Sequence, residues 1–262
     1  MGESSTAVQY LLEVNQLRKQ YGTGAAAHLA VDGVTFDVRP GEFLCIVGPS
    51  GAGKTTLLRC ISGLVDATSG EVRFEGRPLA GVPGDLGIVF QDYSRSLYPW
   101  MTNEANVALP LKVRGMPRAE REAVVAQVLE SVGLAKVARK YPWELSGGMQ
   151  QRVAIARALS YKPRMLLMDE PFASVDAQTR FTLEDLVLRV RSELGISIVL
   201  VTHDIDEAVY LADRVVVLSG APSRVREIVQ VNLGDKRSQI KTRSEDTFIR
   251  LRSHILGLVM AA

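Results

Sequence analysis

The stretch from Phe43 to Thr56, FLCIVGPSGAGKTT in one-letter code, constrains what this chain can fold into more than any other. Phe43-Leu-Cys-Ile-Val47 is apolar throughout and reads as a strand buried on both faces. A glycine-rich loop follows, and Thr55–Ser62 then has a helical pattern. Gly48, Pro49, Ser50, Gly51, Ala52, Gly53, Lys54 and Thr55 fit G-x-x-x-x-G-K-[ST] in full, with Thr56 next, between strand and helix as the pattern requires. Glycines let the backbone wrap around phosphate oxygens, and successive N–H groups form a concave anion nest. Lys54 can reach the β- and γ-phosphates of a nucleotide, and Thr55 can place its hydroxyl on Mg²⁺. A chance glycine turn would lack the flanking strand and helix, so the stretch is a nucleotide-phosphate site.

The rest of the chain supplies a sheet for that site. Met165–Met168 and Ser197–Val201 are further buried strands, each followed by polar or charged residues. Short apolar strands alternating with helical patterns argue for an α/β fold with a largely parallel sheet. In such sheets ligands sit at the carboxyl ends of the strands. From Asn103 to about Ser160 the pattern changes to three helices, Asn103–Val113, Arg118–Val132 and Gly147–Ser160, punctuated by Pro117 and Gly133. This is a helical lobe inserted into the α/β core. After about Gly220, a strand-like Val225–Val231 leads to a basic stretch and an amphipathic helix near Phe248–Leu258. There Phe248, Ile249, Leu251, Ile255 and Leu258 are expected to pack on the core. Lys236, Arg237, Lys241, Arg243, Arg250 and Arg252 are expected to form a solvated face.

Composition narrows the function classes. With 47% hydrophobic and 23% charged residues in 262, the chain can bury an ordinary core. A net charge of +2 gives no argument for nucleic acid. Cys45 and Cys60 form neither a disulfide framework nor a metal spacing, which suits a reduced compartment. No apolar run approaches the roughly 18 residues that a membrane span needs. The start, MGESSTAVQY, is too polar for a signal peptide, and Gly2 and Thr6 fit only a permissive myristoylation pattern.

Four further features fall at strand ends or helix starts. Asp169 and Glu170 follow the strand at Met165, one acid suited to holding a metal and the other to polarising water. His203 ends the strand at Ser197 and can donate toward a γ-phosphate. Gln91 follows Gly87-Ile-Val-Phe90 and can offer an oxygen to Mg²⁺ or to the water. Leu145-Ser-Gly-Gly-Met-Gln-Gln-Arg152 opens a helix with two glycines, which suits an anion at the helix N-terminus.

From about Leu12 to Val231 these residues together resemble the nucleotide-binding subunit of an ATP-binding cassette (ABC) transporter. Gly48–Thr56 is similar to the family's Walker A loop, Gln91 to its Q-loop, and LSGGMQ to its signature. Asp169 and Glu170 resemble the Walker B end, Ser174-Val-Asp176 the D-loop, and His203 the switch histidine. Tyr21 resembles the aromatic that stacks on adenine. Val175 stands where leucine is common in the D-loop, and Met149 makes a signature variant the family uses widely. The resemblance implies a P-loop NTPase core at 10–235. A helical subdomain at about 93–160 is inserted in it, with a small antiparallel β-subdomain beside it and a separate basic segment at 236–262.

It also implies ATP and Mg²⁺ as cofactors, with Thr55, Gln91 and Asp169 at the metal. Glu170, His203 and Gln91 carry the hydrolysis. Two subunits would pair head to tail, so that Ser146, Gly147 and Gly148 of one cover ATP on the other. Ser96-Leu-Tyr-Pro-Trp-Met-Thr102 and Val215–Arg224 resemble importer ATPases for nitrate, sulfonates and taurine, while Asp92-Tyr-Ser-Arg95 departs from their pattern. The expected partners are a transmembrane permease and a substrate-binding protein, at the cytoplasmic face of the inner membrane, with no nucleic acid. An exporter ATPase is the alternative, and exporters often fuse a membrane domain to the cassette. A soluble cassette acting on nucleic acid or ribosomes is a further one. A GTPase lacks its N-K-x-D motif here.

Overall fold

The computed structural model describes residues 10–92 and 96–261. The Gly2/Thr6 pattern and positions 93–95 of the Asp92–Arg95 stretch lie outside them. In chain order the strands are β1 (Leu12–Tyr21), β2 (His28–Val38), β3 (Phe43–Val47), β4 (Ser69–Phe74), β5 (Arg77–Pro78), β6 (Leu86–Val89), β7 (Met165–Asp169), β8 (Ser197–Val201), β9 (Arg214–Leu218) and β10 (Val225–Gln230). The α-helices are α1 (Lys54–Ile61), α2 (Asn103–Val113), α3 (Arg118–Ser131), α4 (Gly147–Leu159), α5 (Ala177–Leu194), α6 (Ile205–Leu211) and α7 (Asp246–Met260). These fall into two compact units, Met1–Pro83 with Val201–Ala262, and Gly84–Leu200.

The first unit holds an antiparallel sheet ordered β2-β1-β4-β5. Along β1 the buried residues Leu12 and Val14 keep the period of two, and the next buried residue is Leu17. Gln16 explains the skip. Its φ is +48°, the pairing register shifts between Val14 and Leu17, and the extra residue turns Leu17 back to the core. On the neighbouring strand Gly70 answers this bulge, because a Cβ there would stand 2.2 Å from the Gln16 carbonyl oxygen.

The same unit orders three further strands β10-β9-β3, with β3 parallel and β10 antiparallel to β9. Every residue of β3 and β9 is buried, as expected of parallel strands covered on both faces. Arg214 is the charged exception. Its guanidinium hydrogen-bonds Glu42 and reaches Asp37 Oδ1 at 2.9 Å.

Around α6 the basic C-terminal segment departs from the solvated face expected of it. Lys236, Lys241, Arg250 and Arg252 are exposed, but the Arg237 side chain is only 4% exposed. It donates to the Tyr210 carbonyl at the end of α6 at 2.6 Å and to Gly234 O at 3.1 Å. Arg243 lies 5.0 Å from the Tyr210 ring centroid and 5.9 Å from that of Phe248. On α7, Phe248 and Ile255 are buried and Leu251 and Leu258 half-buried, while Ile249 is 42% exposed. Ile249 lies about 100° around the helix from Phe248, off the stripe that the other four share.

The second unit orders its strands β8-β7-β6, with β6 parallel to β7. Helix α2 packs against α3 and α4, and α4 against α5 and β6. Among the described residues between β6 and β7 no strand forms. Thr102 caps α2 by accepting the Ala105 N–H at 3.3 Å, and the buried Asn106 both accepts from Tyr98 N and donates to Tyr98 O. That pair ties the Tyr98–Thr102 loop to the helix it precedes. No helix among the described residues is long and apolar enough to cross a membrane.

Candidate nucleotide site

Residues named for the site from sequence fall in both units. In the first, β3 ends at Val47 and the loop Gly48–Gly53 leads straight into α1, which begins one residue earlier than expected, at Lys54. Gly51 and Gly53 have φ of +76° and +79°, the left-handed region that a Cβ penalises. Gly53 is fixed twice over, since a Cβ there would also stand 2.7 Å from Ala30 O. Ala52 N donates to Pro49 O at 3.2 Å, and Ala52 itself is buried. Lys54 is 7% exposed, and its ammonium donates to the Gly48 and Pro49 carbonyls, each at 2.9 Å. Those two bonds turn the Gly48 and Pro49 carbonyls toward the cation. Thr55 and Thr56 follow within the first turn of α1.

His203 lies in the same unit, exposed, between Val201 and the start of α6. The residues on either side of it are pinned. Thr202 N donates to Ile46 O on β3 at 3.1 Å, and Asp204 caps α6 by accepting the Glu207 N–H at 3.1 Å. The Thr202 hydroxyl accepts from Asp204 N and donates to Glu207. Neither Thr202 nor Glu207 was named from the sequence. The Asp204-x-x-Glu207 spacing is a helix-start pattern that flags the acid's place, though not its burial. Tyr21 ends β1 and is 39% exposed, and the Lys19 ammonium stands 5.1 Å from its ring centroid.

In the second unit β7 is buried along its whole length and extends to Asp169, which is 5% exposed. Glu170 comes next with φ of +41°, a conformation that a non-glycine residue holds only where the surroundings impose it. Gln91, just past β6, donates from Nε2 to Glu170 Oε2 at 3.3 Å. The acid and the amide named separately from the sequence are therefore partners. Asp176 caps α5, accepting the Thr179 N–H at 3.0 Å. Ser146 caps α4, accepting the Met149 N–H at 3.4 Å, so Gly147 and Gly148 form the first turn of that helix.

Thr55 and Asp169 offer hydroxyl and carboxylate oxygens, the donor type a hard cation takes. Mg²⁺ commonly takes one or two such oxygens together with substrate phosphates, and each of these two side chains is of that type.

A strand–loop–helix phosphate site in an α/β core, with two adjoining acids at a buried strand's end, defines a nucleoside-triphosphate hydrolase of the phosphate-loop class. The family model described as ABC transporter matches residues 31–173. A taurine import ATP-binding protein of Chromobacterium violaceum is 44% identical over 241 residues, 90% of this chain and 91% of that protein. A nitrate import ATP-binding protein of Synechocystis sp. is 41% identical over 253 residues, 95% of this chain and 94% of that one. A solved dimeric ATP-binding cassette in a post-hydrolysis state, bound to ADP and Pi, matches with a TM-score of 0.73. That structure is 32% identical, and the match covers 84% of this chain and 99% of the other. The chain belongs to the ABC transporter family and is one of its ATPases.

Proposed function

We propose that this chain powers the import of a small molecule of the nitrate, sulfonate or taurine kind through a separate membrane permease. Two copies pair head to tail, with a substrate-binding protein completing the system at the cytoplasmic face of the membrane. What carries the reading is the pairing of Gln91 with Glu170 beside the strained end of β7, in a chain that also holds a complete phosphate loop. The names of the relatives point to import of small molecules over export.

In this reading the Gly48–Thr56 loop and the Lys54 ammonium cradle the ATP phosphates, and Tyr21 stacks on adenine. Ser146, Gly147 and Gly148 cover the ATP held by the other subunit. Thr55 and Gln91, with Asp169 through water, would hold Mg²⁺, which would supply charge neutralisation on the phosphate oxygens. Glu170 takes the proton of the attacking water, Gln91 holds that carboxylate in place, and His203 donates toward the γ-phosphate. We assign 10–235 to the ATPase domain, with the helical insertion at about 93–160 carrying the signature, and 236–262 to a C-terminal segment.

The test is Glu170→Gln in the purified chain. It should bind ATP with unchanged affinity, accumulate as an ATP-dependent dimer on gel filtration, and lose at least about a hundredfold in steady-state hydrolysis. Near-normal turnover would remove Glu170 as the base, and a monomer at saturating ATP would remove the head-to-tail pairing. Co-expression with a membrane subunit should recover the two together. Recovery with ribosomes would favour a soluble cassette.

A further inference from the structure

Gly148 lies inside α4 with an ordinary helical backbone, so its dihedral angles do not explain why a glycine stands there. The space around it does. A Cβ added at Gly148 would stand 2.2 Å from Thr179 Cγ2 and 3.6 Å from Thr179 Cβ. The signature helix therefore begins in direct contact, through a bare Cα, with the first turn of α5.

Thr179 cannot step aside without loss. Its N–H donates to Asp176 Oδ1 at 3.0 Å, and its side chain hydrogen-bonds the same carboxylate. These bonds, the side-chain one first, hold the Asp176 carboxyl below its ordinary value. With Oγ1 committed to Asp176, Cγ2 is the group presented to Gly148. Rotating χ1 to clear a new methyl would break the side-chain bond to the α5 cap. Threonine has few rotamers to offer in a helix in any case.

We propose that Thr179 is a positioning residue for ATP hydrolysis. Its methyl seats the signature turn on the helix that follows the D-loop, so that 146–148 and 174–176 are presented as one piece. The inference rests on the head-to-tail reading, in which both segments act on the neighbouring subunit. A chain whose two reaching segments shifted separately would have to order each of them at closure. Fixing one on the other removes that cost before ATP arrives.

The experiment is a double-mutant cycle of Gly148→Ala and Thr179→Ala, with Thr179→Val as a control that keeps the methyl. It reads kcat at saturating ATP, nucleotide affinity of the single subunit, and melting temperature. Gly148→Ala should lower kcat by about tenfold or more, as overpacking displaces the turn. Adding Thr179→Ala should restore it to within about threefold of Thr179→Ala alone, while Gly148→Ala with Thr179→Val should stay low. Nucleotide affinity should be the same throughout. A double variant as slow as Gly148→Ala would overturn the proposal, since the glycine would then serve the phosphate and not the seat. Wild-type kcat in Gly148→Ala would overturn it too. If the wild-type chain failed to dimerise on ATP, the head-to-tail reading would fall. The seat would then be judged by melting temperature, lowered by Gly148→Ala and recovered by Thr179→Ala, with no recovery overturning it.

Discussion

The Thr202 hydroxyl donates a 2.6 Å hydrogen bond to the Glu207 carboxylate, and both residues are buried, at 2% and 4% exposure. The same hydroxyl accepts the Asp204 N–H at 3.0 Å. His203 sits between Thr202, whose hydroxyl links the Glu207 carboxylate to the Asp204 N–H, and Asp204, whose carboxylate accepts the Glu207 backbone N–H, so its backbone has little freedom left. Glu207 touches no reacting atom in the proposed mechanism; its side chain acts through Thr202, whose hydroxyl in turn holds the Asp204 N–H.

Glu207→Ala should therefore lower kcat by about ten- to a hundredfold, because it loosens the backbone that carries His203. Nucleotide affinity of the single subunit should change little. Glu207→Gln, which can still accept from Thr202, should recover most of the rate. Steady-state kinetics beside an ATP-binding titration separates the two effects. Equal losses in affinity and rate for the alanine variant would show that Glu207 supports only the fold.

A second prediction concerns the C-terminal segment. Arg237 caps the end of α6 through the Tyr210 carbonyl and lies 3.5 Å from Asp213 Oδ1. Asp213 in turn accepts the Phe43 N–H at 2.9 Å, at the start of the strand that leads to the phosphate loop. Arg237→Met should cost about 2 kcal/mol in urea denaturation, since it removes a donor from the Tyr210 carbonyl and weakens a partly buried ion pair. Arg250→Ala, on an exposed position of α7, should stay within about 0.5 kcal/mol of the parent.

Whether these features could be read beforehand depends on the range of the interactions that make them. The phosphate loop, the strand ends at Asp169 and Val201, and the three helices of the lobe were legible because each rests on neighbours in sequence. The burial of Arg237 was not, because it depends on Tyr210 and Asp213 arriving from another element. A run of basic residues looks the same whether its guanidinium groups face water or a helix end. The α7 stripe was legible except for Ile249, where hydrophobicity alone suggested burial and the 3.6-residue period decides against it. Thr179 and Glu207 carry no motif that names their contacts. The Gln91–Glu170 bond joins residues 79 apart, and sequence gave the two members without the pairing.

A third prediction addresses the buried ion cluster. Arg214 is 6% exposed and Glu42 equally so. Burial works against the guanidinium's charge, but hydrogen bonds and attraction from Glu42, and then Asp37, outweigh it and raise its pKa. Arg214→Met should destabilise by about 3–5 kcal/mol, because it leaves the Glu42 carboxylate buried without its cation. Arg214→Met with Glu42→Gln should recover part of the loss. Urea midpoints of the two variants give the comparison, and equal midpoints would mean that the arginine's packing, not its charge, is what matters.

A fourth prediction turns on the thiols. Cys45 and Cys60 are both buried, and burial pushes the Cys60 thiol up, with Lys19 pulling it down less. A raised folded value means that the native state keeps its proton where the unfolded chain begins to lose it. The stabilisation is full below the ordinary thiol value and is lost as pH climbs through the raised one. Native protein at pH 8 should react with a disulfide reagent far more slowly than protein in urea, where both thiols are open. Rapid native labelling would show that the Cys60 environment opens readily.

The last prediction separates a functional bond from a structural one. Gln91 donates to Glu170 at 3.3 Å in an exposed setting, where such a bond adds little to stability. Glu170 holds its unusual backbone through its own segment, with Ala173 N donating to its carbonyl at 3.2 Å. Gln91→Ala should therefore leave the melting temperature within about 1 °C of the parent, as a loss of a few tenths of a kcal/mol implies. The rate should fall by about tenfold or more, because the carboxylate that polarises water is no longer held in line. Affinity for ATP without Mg²⁺ should hold, since the phosphate loop is untouched. Gln91→Asn, a shorter amide, should keep the chemistry of the donor but miss the 3.3 Å reach, and so behave like the alanine variant. If Gln91→Asn were fully active, the amide would be serving through its chemistry alone, and its pairing with Glu170 would be incidental to hydrolysis.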